Sequence, residues 1–450
     1  MDPLIVGLDV GTTTSKAVVF TTQGRPVGEG KAVTPWVVTP HGAQMDAGEL
    51  LDSAREALRQ ALASAPDGPV LAVGVTSMGE SGVLLNGHGV PLAPVIAWHD
   101  TRDGAEVRDL STTLGEDRFA GRTGLPLRGQ WSLTKHRWLL AHHPETKEAV
   151  RRLNIAEWVV RGLGGEESAE QSLASRTGWL ELATRSWWPE ALEWSGAGRS
   201  LMPDLVTAGT PLGTVGAEVG IPRLTGAVLT VAGHDHQAAT VGADAAGPGD
   251  ELDSCGTAEA LVRTVPAGLV NTADVATLAK GGITTGWHVL SDQWCLLGGT
   301  QGGLALQRVL GLLGLSSGHL AELDRQALAR DACTVTVTGV EAEELRIAGV
   351  ANGTGPADLW RATLEAVVAQ AEQVHAAMSA VVGAHQALVV TGGWSRSRAL
   401  LEVKRRVLGP LRNPGVSEAG ARGAALLGGM AAGVYAGPRE FPPLEPGGAS

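Results

Sequence analysis

The sequence predicts an α/β protein of two related halves that face each other across a cleft. Three observations lead there. Residues 8–13 read LDVGTT, the end of an apolar strand that passes through an acid into a turn of small hydroxylated residues. Residues 252–257 read LDSCGT, the same plan with one extra residue before the Gly-Thr pair. After each, antiparallel strand signals give way to helices alternating with buried strands, the pattern of a mixed sheet covered on both faces. The length fits, since 450 residues exceed what one hydrophobic core usually serves.

The first element, LIVGLDVGTTTSKAVVF (4–20), predicts strand, turn and strand. Gly11 is expected to give the turn a conformation that side chains would hinder. Turn N–H groups and the hydroxyls of Thr12, Thr13 and Thr14 suit a phosphate, Lys16 adds positive charge, and Asp9 suits Mg²⁺. A plain β-hairpin has the same appearance, and that reading stands beside the functional one. Residues 27–38 predict a third antiparallel strand. Residues 49–64 carry Leu50, Leu51, Ala54, Ala57, Leu58, Ala61 and Leu62 at helical spacing, with Asp46 upstream as a cap. Residues 70–77 and 83–85 read as buried strands.

Pro248 and Gly249 break the chain, and DELDSCGTAEALVRT then begins the second half. A second antiparallel run is expected over 277–297, a helix from Gly303, a long helix over 357–382 and a strand over 387–393. In the long helix Trp360, Leu364, Val367, Ala371, Val374, Met378 and Val381 form a core stripe with no chemistry assigned. The expected units are 1–244, 245–438 and a Pro/Gly-rich disordered tail, 439–450.

Composition removes several classes. The net charge of −12 with no basic run argues against a nucleic-acid partner. No apolar run reaches membrane-spanning length, and MDP leads straight into a strand with no room for a signal peptide. Cys255, Cys295 and Cys333 are far apart, which implies neither a zinc site nor a disulfide framework. A cytoplasmic protein is the expectation.

Three constellations carry chemistry. In VAGHDHQAATVGA (231–243) Asp235 begins a helix, flanked by His234 and His236. A carboxylate there suits a general base for a hydroxyl attacking a phosphoryl group, although an aspartate at a helix start is equally a plain cap. In VVTGGWSRSRALL (389–401) a strand runs through Gly392 and Gly393 into a polar helix start at Ser397, a layout that accommodates a nucleotide. The small-residue helix of 418–433 reads as its partner, or as tight helix packing. Finally, Glu80 follows one strand end, and Trp98, Asp100 and Arg102 follow another. A carboxylate, an indole face and a guanidinium suit a polyhydroxylated ligand, while Asp100–Arg102 also reads as a structural ion pair.

In this order the pieces resemble the FGGY carbohydrate kinase family of the sugar kinase/Hsp70/actin superfamily, from about residue 4 to 433. The motifs are LDVGTTTSKAVVF, the I-x-W-x-D-x-R of 96–102, GHDHQAATVGA with PGD…GTAEAL, and TGG followed by E-x-G-x-x-GAA at 418–425. The resemblance implies two ribonuclease H-like (actin-like ATPase) domains, with ATP and a sugar meeting between them. It implies that Asp235 is the catalytic base, Asp9 and Asp235 hold Mg²⁺, and Gly11, Thr12, Thr13, Thr14 and Lys16 bind phosphate. It places Gly256, Thr257, Gly303, Gly392, Gly393 and Ser397 on the nucleotide, and Glu80, Trp98, Asp235 and His236 on the acceptor.

Departures narrow the acceptor. Gly79-Glu80-Ser81 replaces the Met-His-Gly of many xylulose-type members and looks like the glycerol and fuculose kinase-like branches. Gln130 replaces the substrate-facing tyrosine of glycerol kinases, and the sequence around Asp235 leans toward the fuculose kinase-like branch. Ala258 follows the second Gly-Thr where serine is common, and EVKRR at 402–406 replaces Q-x-x-A-D.

The expectation is therefore an ATP- and Mg²⁺-dependent kinase acting on a hydroxyl of a ketose, deoxyketose or polyol, with no nucleic acid or membrane partner. A homodimer is left open. The alternatives are a non-catalytic sugar- or nucleotide-sensing regulator, which would need an added DNA-binding module, and a chaperone-like ATPase, which would need a peptide-binding domain.

Overall fold

The protein is described by a computed structural model covering residues 2–330, 334–342 and 344–444. In the first half β1 (Leu4–Val10), β2 (Thr14–Thr21) and β3 (Pro26–Val33) pair antiparallel, and β4 (Val70–Ser77) and β5 (Val228–His234) extend the sheet in parallel, in the order β5-β4-β1-β2-β3. Helix α1 (Ala47–Ser64) covers one face. The Asp46 carboxylate accepts from Gly48 and Glu49 N at 2.7 and 3.0 Å, the expected cap.

The third strand stops at Val33, short of the expected 38. Pro35 lacks an N–H for the ladder, and the chain instead folds over the first turn. There Thr34 Oγ1 donates to Gly11 O (2.8 Å) and Trp36 Nε1 donates to Thr12 O (2.7 Å). Val37–Thr39 joins a small separate sheet. Helix α2 (Gly104–Leu114) and the segment that follows build one wall of the cleft, and α3 (Asp235–Gly242) leaves the end of β5.

The second half repeats the scheme. Strands β6 (Glu251–Cys255) and β7 (Glu259–Pro266) form the second hairpin. A helix, α4 (Thr272–Lys280), occupies the start of the expected antiparallel run, so strand structure resumes only at β8 (Thr284–Trp287) and β9 (Gln293–Thr300). Asn271 caps α4 through Ala273 and Asp274 N, a signal in NTAD that the sequence reading passed over. Next come α5 (Gly302–Leu312), the long α6 (Pro356–Val382), β10 (Leu388–Thr391), α7 (Arg398–Leu408) and α8 (Ala419–Ala431), and the sheet order is β8-β9-β7-β6-β10. In α6 Trp360, Leu364, Val367, Ala371 and Met378 are buried, whereas Val374 and Val381 are only partly so.

Contacts cross the expected division at 244/245, those of helix α8 foremost. Helix α8 lies across β1 and β4 of the first sheet, packing Ala421, Ala424, Leu426 and Leu427 with Ile5, Val18 and Ala72. The approach is close enough that a Cβ on Gly7 would meet Ala421 O at 1.7 Å. The small residues of 418–433 thus serve packing, the plainer of their two readings. The tail also differs from expectation as far as Leu444. Phe441 packs edge-on against Tyr435 with ring centroids 5.4 Å apart, and Arg422 Nη2 donates to Pro442 O at 2.5 Å. Residues 445–450 and Cys333 lie outside the described residues.

Candidate active site

The two hairpins open onto one cavity of about 830 Å³ between the halves. Thr12 from the first turn and Ala258 and Glu259 from the second line it, together with Glu80, Trp98, Asp235 and His236. Five of the expected site residues thus share one wall system. Thr13 and Thr257 stand exposed at the two turn tips.

Asp235 opens α3 because β5 ends at His234, which puts its carboxylate at the mouth of the helix. It accepts from His236 N at 2.6 Å, and His234 Nε2 lies 3.5 Å away. Burial, then the charge of Glu80, push its carboxyl up to about 7 against the opposing pull of its backbone hydrogen bond and Arg176. Burial likewise lowers His236 to about 4 and His234 well below its ordinary value. The H-D-H run therefore presents neutral imidazoles at pH 7, with Asp235 the one acid among them.

Asp9 ends β1 next to this carboxylate. Its Oδ1 is buried with no hydrogen-bond partner, and burial, then repulsion from Asp235, raise its carboxyl to about 8. Such a pair fits a divalent cation, which would relieve the repulsion and fill the orphaned coordination. Lys16, paired across the strands with Asp9, binds Glu418 at 3.0 Å, so its charge is partly spent.

Glu80 was expected in the site, and the structure shows why it stays there. Its φ of 64° is a left-handed conformation that a non-glycine residue holds only when its surroundings enforce it. Ser132 Oγ (2.5 Å) and Arg152 Nη2 (3.2 Å) donate to its carbonyl. Arg176 Nε (2.7 Å) and Gln130 Nε2 (3.2 Å) donate to its carboxylate. Arg176 also donates to Thr284 Oγ1 at 2.8 Å, joining the two halves behind the pocket. Nothing in SLASRTGW marks Arg176, because its role arises only when segments a hundred residues apart meet. Trp98 is half-buried and donates through Nε1 to Thr12 Oγ1 at 2.9 Å, tying its side of the cavity to the first turn. Asp100 and Arg102 form a buried bidentate pair, 2.9 and 3.0 Å, outside the cavity lining.

Other residues differ from expectation. Gly11 has no positive φ; a Cβ there would sit 3.2 Å from Thr14 O, a milder constraint than the turn was expected to impose. Gly392 does take φ +92°, pressed against Cys255 O, whereas Gly393 has open space beside it. Gly303 packs on the second turn, where a Cβ would meet Gly256 O at 1.9 Å. Ser397 does not face a ligand. It is fully buried, caps α7 through Leu400 N and donates to Asp324 at 3.0 Å, so the helix start closes on its own hydroxyl. Gly11, Thr13, Thr14, Lys16, Gly256, Thr257, Gly303, Gly392 and Gly393 surround the cleft without lining this cavity.

Beneath the second turn Lys404 is fully buried and ion-paired with both Asp253 and Glu259. Burial alone would strip its proton, but Asp253, Cys255 and Glu259 hold the ammonium well above its ordinary value. Asp253, Cys255 and Glu259 are close enough to hold a metal, yet the ammonium already supplies their cation.

Known proteins share this architecture. Residues 4–242 match the N-terminal domain of the FGGY family of carbohydrate kinases and residues 337–432 its C-terminal domain. A glycerol kinase of Thermus brockianus is 32% identical over 464 residues, covering 96% of this chain and 90% of the relative. A xylulose kinase of Streptomyces rubiginosus is 32% identical over 320 residues, 70% of this chain and 63% of the relative. Among solved structures, glycerol kinase from Plasmodium falciparum with ADP has a TM-score of 0.87 at 18% identity, covering 97% of this chain and 91% of that one. Xylulose kinase from Rhodospirillum rubrum has 0.83 at 24% identity, with 95% and 90% covered. The overall fold is thus shared, and the chain belongs to the FGGY family of carbohydrate kinases, phosphotransferases that act on an alcohol group.

Proposed function

We propose that this kinase transfers the γ-phosphoryl group of ATP to a hydroxyl of a small ketose, deoxyketose or polyol, with Asp235 as the base. The observation that carries this reading is Asp235 itself, on the cavity wall beside Glu80 with its carboxyl raised to about 7, where it can both take and release a proton near neutral pH. As the acceptor oxygen attacks the γ-phosphorus, its proton passes to Asp235 and the bond to the β–γ bridging oxygen breaks, releasing ADP. Asp9 and Asp235 would hold Mg²⁺, whose charge would neutralise the polyphosphate. Thr12 and the two turns border the donor side, and Glu80, held by Arg176 and Gln130, accepts hydrogen bonds from acceptor hydroxyls. Closure of the halves would exclude water.

Gln130 in place of the tyrosine of glycerol kinases supports a fuculose-like acceptor over glycerol, whereas Glu80 suits both of those branches and departs from the xylulose type; relatives named glycerol kinase match nearly the whole chain. In a coupled ADP-release assay Asp235→Asn is expected to lose ~10²–10⁴ of the rate. Activity near wild type would remove Asp235 from the mechanism, and binding without turnover would indicate a sensor. The acceptor panel is L-fuculose, L- and D-xylulose, D-ribulose, L-rhamnulose, erythritol and glycerol. Preferred turnover of glycerol would overturn the reading of Gln130.

A further inference from the structure

The acceptor end of the cavity carries more positive charge than its own carboxylates use. Its acidic lining residues are Glu80, Asp235 and Glu259. Glu80 is neutralised by Arg176 and Glu259 by Lys404. Just outside the lining, Asp100 is matched by Arg102 and Asp103 by Lys135. Asp235 alone has no Lys or Arg within ion-pair distance, its near neighbour being His234. Two further arginines line the same cavity, Arg108 on α2 and Arg128 on the loop before Gln130. Among the described residues neither has a carboxylate within ion-pair distance or a hydrogen-bond acceptor for its guanidinium. Glu106, on the same helix as Arg108, does not line the cavity.

Arg128 is also placed against like charge, while Arg108 is exposed on the cavity rim. The guanidinium of Arg128 sits 5.3 Å from the ring centroid of Trp131, and that of Arg176 sits 5.2 Å from the same ring. Partial loss of water, then the charge of Arg176, depress Arg128 below its ordinary value, and the Glu80 carboxylate, beyond ion-pair distance, offsets only part of this. A planar cation held over an indole with its donors free is preorganised for a planar or tetrahedral anion. A neutral sugar would leave this charge unanswered.

Building on the kinase reading above, we propose that the acceptor is a polyhydroxylated compound bearing one anionic group, a carboxylate or a phosphate monoester, which Arg108 and Arg128 bind while Glu80 and Asp235 hold its hydroxyls. The specificity of this chain is then for a sugar acid or sugar phosphate over the neutral sugar of the same length.

The test is a matched series in the ADP-release assay with the full chain: glycerol, glycerate and glycerol 3-phosphate; erythritol, erythronate and erythritol 4-phosphate; D-xylulose, D-xylonate and D-xylulose 5-phosphate. In at least one series an anionic member should exceed its neutral counterpart in kcat/KM by ~10-fold or more, and which anion does so identifies the carboxylate or the phosphate. Arg128→Gln and Arg108→Gln should each raise KM for that anionic acceptor by ~10- to 100-fold, leaving KM for ATP and for the neutral acceptor unchanged. Neutral acceptors preferred throughout, or the two variants raising KM for ATP alike with every acceptor, would overturn the assignment while leaving the kinase reading intact. Turnover of no member of any series would count against both.

Discussion

The two hairpins are built alike and charged in opposite ways. In the first, Asp9 ends β1 with a buried oxygen that has no partner and a neighbouring carboxylate that repels it. In the second, the carboxylates of Asp253 and Glu259 lie under the turn with Lys404 between them, fully buried. One half thus keeps an unpartnered carboxyl that holds its proton near neutral pH until a cation displaces it, and the other cancels its charge internally. An orphaned buried carboxylate costs stability unless something else binds it. On the function proposed above, the first hairpin carries that cost as a poised ligand site, and the second serves as a rigid abutment.

The largest effect should come from breaking the abutment. Lys404→Met would leave two carboxylates buried without a cation, and a loss of about 3–5 kcal/mol is expected in urea unfolding. Combining it with Asp253→Asn and Glu259→Gln should restore most of the loss. A single variant within about 1 kcal/mol of wild type would show that Lys404 is not what neutralises this half.

A further buried carboxylate sharpens the contrast by showing what burial does without a cleft. Glu170 is fully buried and raised to about 8 by burial, although Ser172 and Leu173 donate to its Oε2; its Oε1 has no partner. The folded state therefore keeps this proton where the unfolded chain, titrating near 4.5, has lost it. Stability from this group is present below about pH 4.5 and lost as pH rises to about 8, at up to about 1.4 kcal/mol per pH unit. Glu170→Gln should flatten that slope, so the variant gains on wild type as pH rises. Parallel pH–stability curves would contradict it.

The smallest stability change, and the sign that best separates the hairpins, belongs to Asp9→Asn. Replacing this strained, unpartnered carboxyl should leave unfolding stability equal or raise it by about 1 kcal/mol, while activity falls ~100-fold or more as the charge it would present to a bound cation is lost. Wild type should also show a Tm rise with added Mg²⁺ that the variant lacks, since only a native-state ligand stabilises. A destabilised Asp9→Asn would make the first hairpin structural like the second.

Much of this was legible in the residues. Strand β1, the hairpins, α1 with its Asp46 cap and the long α6 announce themselves through period, turn chemistry and capping, all local signals. Asp235, Glu80 and Trp98 could be found because each sits where a strand ends. What stayed hidden depends on contacts between distant segments. Arg176 meets Glu80 across 96 positions and Thr284 across 108. Lys404 stood within EVKRR as a departure from pattern, yet its burial against Asp253 could not be read from spacing. Ser397 misled because a serine at a helix start serves a cap or a ligand equally well, and Asp324 decided it. The strand expected through 38 failed at Pro35, where the backbone was needed as a roof over the first turn.

The crossing of α8 onto the first sheet has a consequence for how the molecule is made. Strands β1 and β4 leave the ribosome early, but the helix that seals one of their faces is the last long element of the chain. At ~5–20 residues per second, roughly 10–40 s pass between synthesis of β5 and completion of α8. Throughout that interval Ile5, Val18, Phe20 and Ala72 lack the Ala421, Ala424, Leu426 and Leu427 side chains that complete their packing. The first half therefore cannot finish folding as it is born, and a nascent chain stalled before residue 419 would present an incompletely covered apolar face to chaperones.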